Sequence, residues 1–141
     1  MQIREFREGD AEDLRKIYLQ SRATTFVWLD TSKFALTDFD KDTLGEQILV
    51  ATKGNQILGF VAIWRPESFV HHLYVSPQFC GKGVGATLLN AVKERYTQFS
   101  LKCMTENVQA VNFYHSQGLI VEEEASDDFG EYYLMRYKSE E

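Results

Sequence analysis

Apolar positions set among charged ones from Gln2 to Arg7, with Ile3 and Phe6 the inward candidates, predict a first strand. Gly9-Asp10 interrupts it, and Asp10 stands where a helix carrying Leu14, Ile17 and Tyr18 on one face needs its N-cap. From Thr24 to Glu46 the periodicity fades while aromatic residues recur at Phe26, Trp28, Phe34 and Phe39. That segment predicts irregular chain with a short helix near Lys41 to Gln47. The pattern then sharpens. Ile48 to Lys53 and Gln56 to Trp64 flank Gly54-Asn55, which predicts two strands around a tight turn. Arg65-Pro66-Glu67-Ser68 predicts the next turn and Phe69 to Val75 the next strand. Val84, Leu88, Leu89 and Val92 share one helical face between Gly83 and Tyr96.

The remaining elements are shorter. Ser100 to Met104 predicts a strand, and Ala110 to Gln117 a helix stopped by Gly118 as a left-handed terminator. Leu119 to Glu123 and Tyr132 to Lys138 predict two closing strands, joined by an acidic turn from Glu124 to Glu131. No repeat, linker or low-complexity tract interrupts the chain, so residues 1–141 are expected to form one domain. Strands interleaved with helices predict a mixed α/β sheet covered by helices on both faces.

Composition narrows the functional classes. The formal net charge is −6 and the pI about 5.1, which disfavours nucleic-acid binding, since that needs a basic face to displace phosphate counterions. It suits a cationic acceptor better than an anionic one. Cys80 and Cys103 have no framework or C-x-x-C spacing, so reduced thiols and no metal are expected. No apolar run approaches the roughly 20 residues of a membrane span, and MQIREFREGD has no signal-peptide character, so no membrane partner and a cytoplasmic location are expected.

The stretch HHLYVSPQFCGKGVGATLLNAV carries the strongest chemical signal. A strand runs through Gly81, Gly83 and Gly85 directly into a helix. Free amides at a helix N-terminus, with the positive end of its dipole, hold phosphate oxygens, and glycine lets the backbone approach them. A Walker loop needs G-x-x-x-x-G-K-[ST], which is absent. A dinucleotide fingerprint needs G-x-G-x-x-G in a first strand-to-helix turn, and here three strands have already passed.

LYVSPQFCGKGVGATLL resembles the signature of the GCN5-related N-acetyltransferases, Q/R-x-x-G-x-G/A. Gln78 to Gly83 matches it literally. The spacing from Val75 and Pro77 favours Cys80 to Gly85 instead, with Cys80 in the place of the usual Gln or Arg. The block from Asn107 through Ala110 and Tyr114 to Gly118 resembles the family's N-x-x-A-x-x-x-Y-x-x-x-G. The resemblance implies a mostly antiparallel sheet of about seven strands, splayed at its centre, with helices on both faces. It also implies acetyl transfer from acetyl-CoA, a co-substrate, to an amine acceptor on a protein (N-terminal or lysine) or a small molecule, by direct attack in a ternary complex. A monomer or homodimer is expected.

The resemblance further implies roles. Leu73, Tyr74 and Val75 would pair through their backbone with the coenzyme's pantetheine amides, and the Val75 N–H would polarise the thioester carbonyl. Gly81, Lys82, Gly83, Val84, Gly85 and Ala86 would hold the pyrophosphate. Asn107 and Asn112 are candidate coenzyme contacts, and Asn107 serves equally as a helix N-cap. Tyr114 would be the general acid to the leaving thiolate, set against its plainer reading as a core aromatic. Lys102 stands where relatives that acetylate N-termini carry a glutamate base. The base is therefore open among His72, His71, Glu106, Glu67 and water, adjacent strand residues being expected to face opposite ways. Cys80, beside a helix N-terminus, has no His or Asp at catalytic spacing and reads as a bystander thiol. Phe26, Trp28, Phe34 and Phe39 either line an acceptor cleft or seal the sheet edge. A non-catalytic acyl-CoA-binding or regulatory module is the alternative, motivated by Lys102 and Cys80.

Overall fold

The computed structural model describes residues 1–25 and 34–139. Its seven strands form one sheet in the order β1-β2-β3-β4-β5-β7-β6. They are β1 (Gln2–Glu5), β2 (Gln47–Lys53), β3 (Gln56–Trp64), β4 (Phe69–Val75), β5 (Gln98–Met104), β6 (Ile120–Asp127) and β7 (Gly130–Lys138). The helices are α1 (Ala11–Thr25), α2 (Asp38–Asp42), α3 (Val84–Arg95) and α4 (Val108–Ser116). Among the described residues, no helix is long and apolar enough to cross a membrane.

Strand alternation assigns the helices to faces. Leu49, Ala51, Val61 and Ile63 point to one side of β2 and β3, where they pack with Val84, Leu88, Leu89 and Val92 of α3. Ile48, Val50, Phe60 and Ala62 point to the other, against Leu14, Ile17 and Tyr18 of α1 and Phe39 of α2. Phe39 is therefore core, edge-on to Phe60 with ring centroids 5.4 Å apart. Both faces of the predicted sheet are covered.

Three expectations change in detail. Asp10 does not cap α1 with its side chain. It sits in a short 3-10 turn, where its carboxylate accepts the Arg7 N–H at 2.8 Å and two Arg4 guanidinium bonds at 2.8 and 2.9 Å. The short helix begins at Asp38 instead of near Lys41, because Asp38 accepts the Ala35 N–H and the Arg22 guanidinium, each at 2.9 Å. It ends before Gly45, whose φ of +81° turns the chain toward β2. The acidic stretch from Glu124 onward is mostly strand, and only Asp128 and Phe129 form the turn. β6 is an edge strand exposed along nearly its whole length, so its carboxylates stay in water. Phe26 and Trp28 lie outside the described residues.

The centre of the sheet prepares the site. β4 and β5 run parallel but pair only at Phe69 with Ser100 and Val70 with Leu101. From His72 to Val75, β4 keeps β3 as its partner and has none on the β5 side. A bulge accompanies the parting: Ala62 opposes His72 and Ile63 opposes Val70, leaving His71 as the extra residue. Bulges bend a strand and redirect its side chains. Gly59 allows β3 to follow β4 here, since a Cβ on it would lie 2.6 Å from the Tyr74 carbonyl oxygen.

Candidate active site

Where β4 and β5 part, a cleft of about 1000 Å³ opens. One wall is the unpaired edge of β4 with Leu73, Tyr74 and Val75, and the facing wall is Leu101 to Met104 with Asn107, Ala110, Phe113 and Tyr114. One end is closed by Cys80, Gly81 and Gly83 to Ala86, the other by Tyr18, Arg22, Phe34, Asp42, His71 and His72. The two ends are built differently.

At the glycine end the backbone does the work. Gly81 and Gly83 adopt φ of +78° and +82°, and a Cβ on either would meet nothing within 4 Å. These glycines are required by backbone conformation, and the space beside them is open. The first backbone bond of α3 runs from the Thr87 N–H to the Gly83 carbonyl at 3.0 Å. The amides of Val84, Gly85 and Ala86 therefore have no intrahelical acceptor. Gly85 has a second reason to lack a side chain: a Cβ would approach the Phe113 ring at 3.4 Å, so it sets how closely α3 meets α4. The loop therefore sets amides without intrahelical acceptors beside open space, the arrangement that an anion such as a phosphate needs. The exposed Cys80 thiol turns back toward the carbonyls of Ser76 at 3.7 Å and Val75 at 3.9 Å.

Along the middle, Asn107 caps α4 by accepting the Ala110 N–H at 3.2 Å, and it also borders the cleft. Tyr114 projects from α4 into the same wall. Burial pushes its phenol well above the ordinary tyrosine range, with neighbouring Cys103 and Tyr74 adding to it, so it holds its proton. Burial likewise pushes Tyr74 up to about 12 and the Cys103 thiol up to about 12. The Ser21 hydroxyl of α1 donates to the Val75 carbonyl at 3.1 Å, anchoring the unpaired strand from behind.

Several predicted residues stand elsewhere. Asn112 is exposed on α4 and is not part of the cleft lining, nor are Glu67 and Glu106. Lys82 extends over the Phe79 ring, its Nζ 5.9 Å from the centroid. Lys102 forms an ion pair with Asp127 and lies over the Tyr132 ring at 4.6 Å, which ties the glutamate-replacing position to the β6–β7 hairpin.

The end opposite the glycines is made of side chains. His71 and His72 do not face opposite ways, as regular alternation predicts, because the bulge brings both imidazoles to one carboxylate. His71 Nδ1 shares a hydrogen bond with Glu46 Oε2, and His72 Nε2 lies 3.9 Å from Glu46 Oε1. The Glu46 side chain is only 2% exposed, and Oε1 is buried with no hydrogen-bond partner. Burial raises its carboxyl above the usual range, and the His71 bond opposes that rise. His72 is pulled down to about 4, mainly by burial, although the Asp42 carbonyl 3.3 Å from its Nε2 works the other way. A carbonyl only accepts, so His72 is neutral with its proton on Nε2.

Asp42 also accepts the Tyr18 hydroxyl at 2.7 Å, and Arg22 lies between the Tyr18 and Phe34 rings at 4.0 and 4.1 Å. Glu46, Asp42, Tyr18, Arg22 and Ser21 are absent from the sequence reading of the site. Glu46 and Asp42 lie in the stretch without periodicity, and no motif links them to the histidines about 25 residues later. The repeated aromatics of that stretch were the one available signal, and Phe34 does border the cleft.

Comparison with known proteins agrees with this geometry. Residues 11–119 match the model of the Acetyltransferase (GNAT) family. The chain is 33% identical over 63 residues to the peptidyl-lysine N-acetyltransferase YiaC of Escherichia coli, a match spanning 45% of this chain and 42% of that protein. It is 27% identical over 136 residues to an uncharacterized N-acetyltransferase of Archaeoglobus fulgidus, spanning 84% of this chain and 92% of that one. The structure of yncA from Salmonella typhimurium, a putative acetyltransferase solved with its cofactor acetyl-CoA, superposes with a TM-score of 0.76 at 20% identity, covering 100% of this chain and 95% of that one. With the family model running over most of the chain and the split sheet agreeing with it, the chain belongs to the acetyltransferase (GNAT) family.

Proposed function

We propose that the protein transfers the acetyl group of acetyl-CoA to a primary amine of a protein, N-terminal or lysine, or of a small molecule, within one ternary complex. The observation that carries this reading is the juxtaposition of three features in one cleft: an unpaired strand edge, a glycine-rich helix start and a half-buried phenol. The backbone of Leu73, Tyr74 and Val75 lacks a β5 partner and offers N–H and C=O groups to the pantetheine amides. The cradle from Gly81 to Ala86 takes the pyrophosphate, with Asn107 flanking the coenzyme path. Lys82 and Asn112, outside the cleft lining, are left to the coenzyme's exposed portion.

The Val75 N–H polarises the thioester carbonyl as negative charge develops on its oxygen. Tyr114 keeps its proton at neutral pH and donates it to the departing thiolate, so the sulfur leaves as a thiol. His72 contributes a neutral ring to the acceptor end, edge-on to Tyr18 at 5.2 Å. The net charge of −6 favours approach of a cationic acceptor.

Thiol release on mixing with acetyl-CoA and a panel of lysine peptides, free N-termini and polyamines tests the reading. Turnover with at least one acceptor is expected. Stabilisation by coenzyme A with no turnover on any amine would instead support the non-catalytic binding module.

A further inference from the structure

We propose that Glu46 and His71 form a proton-accepting dyad for the acceptor amine, with His71 the catalytic base and Glu46 its positioning residue. The inference rests on the acetyl-transfer reading and adds to it a group outside both family-like motifs. Neither residue is near the glycine cradle. They meet because the β4 bulge turns His71 toward the segment that leads into β2.

The division of labour within the dyad follows from exposure. Glu46 is 2% exposed and His71 is 44% exposed, so the carboxylate is shielded while the imidazole reaches the cleft. A carboxylate accepts and does not donate. Bonding at Nδ1 therefore fixes the His71 tautomer with Nδ1 protonated and leaves the Nε2 lone pair as the base. The Phe69 ring, edge-on at 5.0 Å, holds the imidazole on its other side. His72 is a poorer base, being buried, with its Nε2 committed to the Asp42 carbonyl.

The geometry of Glu46 bears on the same point, since its Oε1 is buried with no hydrogen-bond partner. In the resting dyad a carboxylate is buried with one hydrogen bond, and burial raises its carboxyl above the ordinary range. A positive charge on His71 removes much of that penalty. Besides Glu46 from the segment before β2, the charged and titratable groups gathered at this end of the cleft are Asp42 from α2, Arg22 from α1 and His72 from β4 itself. Arg22 is itself paired with Asp38 at 2.9 Å.

The step balances. An alkylammonium gives one proton to His71 Nε2, and the freed nitrogen lone pair attacks the thioester carbonyl carbon. The C–N bond forms and the C–S bond breaks. The nitrogen's second proton leaves to water, the thiolate takes its proton from Tyr114, and water restores Tyr114. His71 then returns its proton to solvent.

The test compares wild type with Glu46→Gln, His71→Gln and the double variant, over pH 5 to 10 and with EDTA present or absent. Gln preserves the volume at position 46, and thermal melting checks that each variant folds. Glu46→Gln is expected to lower kcat/KM for the amine by about 10- to 100-fold near pH 7, leave the KM for acetyl-CoA unchanged, and move the acid limb of the profile to lower pH. The double variant should be no slower than His71→Gln alone, because Glu46 acts through the histidine. Imidazole nitrogen NMR of the resting protein gives a readout that needs no turnover: His71 protonated on Nδ1 in wild type, with that preference lost in Glu46→Gln. Unchanged amine kinetics and pH profile in a folded Glu46→Gln, or His71 protonated on Nε2, overturns the dyad. Activity lost to EDTA and restored by a divalent cation also overturns it, since Glu46, His71 and His72 would then be serving as metal ligands. Absence of wild-type turnover on every amine defeats the acetyl-transfer reading and the catalytic role of His71 with it. Loss of activity in Tyr114→Phe alone, with Glu46→Gln unaffected, defeats only the dyad.

Discussion

The two ends of the cleft are made of different material. At the glycine end, recognition is built from consecutive backbone: Gly81 and Gly83 in left-handed conformations and three unbonded amides at the start of α3. At the other end it is built from side chains of α1, α2, the segment before β2, and β4, with Glu46, His71, His72, Asp42 and Tyr18 meeting through hydrogen bonds. A backbone cradle binds what is common to a family of reactions. An assembly of scattered side chains varies freely and sets what is particular to one. The coenzyme end should therefore respond to conformational changes, and the acceptor end to changes of charge and proton position.

The largest expected effect tests whether the cradle depends on the core beneath it. Leu88 is fully buried under α3, and Leu88→Ala should destabilise the fold by about 2–5 kcal/mol, read by denaturant unfolding. Coenzyme affinity should fall with it, while at low temperature the amine KM of the folded fraction stays constant. Next comes Gly83→Val, which places a branched residue at φ +82°. It should weaken coenzyme A binding about 10- to 100-fold by calorimetry, with little change in melting temperature if the loop alone adapts. Equal binding would remove the cradle's claim on the pyrophosphate.

Smaller effects sharpen the contrast. Asn107→Ala removes the α4 cap and should cost about 1 kcal/mol of stability, with a several-fold loss in coenzyme affinity and none in amine preference. The smallest effect lies outside both ends. Asp10 has its carboxyl held below the usual range, first by the Arg4 bond and partly against its own burial. Its contribution is present above the ordinary carboxylate value of about 4 and is lost as pH falls through the lower folded value, a loss of about 0.2–1 kcal/mol. Asp10→Asn should flatten stability against pH below about 4 and leave both cleft ends unchanged.

The same contrast explains what was legible in the sequence. Strands such as Gln56–Trp64 and Phe69–Val75 and helix α3 could be read because periodicity and turn residues are local signals. The cradle and Tyr114 could be read because consecutive residues or fixed spacings make them. The Glu46–His71 contact could not. It depends on one bulged residue that breaks the rule of alternation, and on pairing across about 25 positions with no shared pattern. Asp10 was misjudged because an N-cap and a salt-bridge acceptor use the same residue type, and only the position of Arg4 decides between them. The stretch from Glu124 to Glu131 reads as a turn because charge usually marks one, whereas an edge strand with two wet faces tolerates it.

Tyr114 lies in the cleft wall between the two ends and is the proposed acid to the departing thiolate. The most direct test of acetyl transfer in this cleft is the single-turnover rate of thiol release, with acetyl-CoA prebound and a reactive amine in excess, for wild type and Tyr114→Phe. The expected result is a rate about 100-fold or more lower in the variant, with acetyl-CoA affinity unchanged, because the phenol acts when the thiolate departs and contributes little to ground-state binding. An equal rate in the two proteins would contradict the assignment of Tyr114 as the acid and the placement of the chemistry in this cleft.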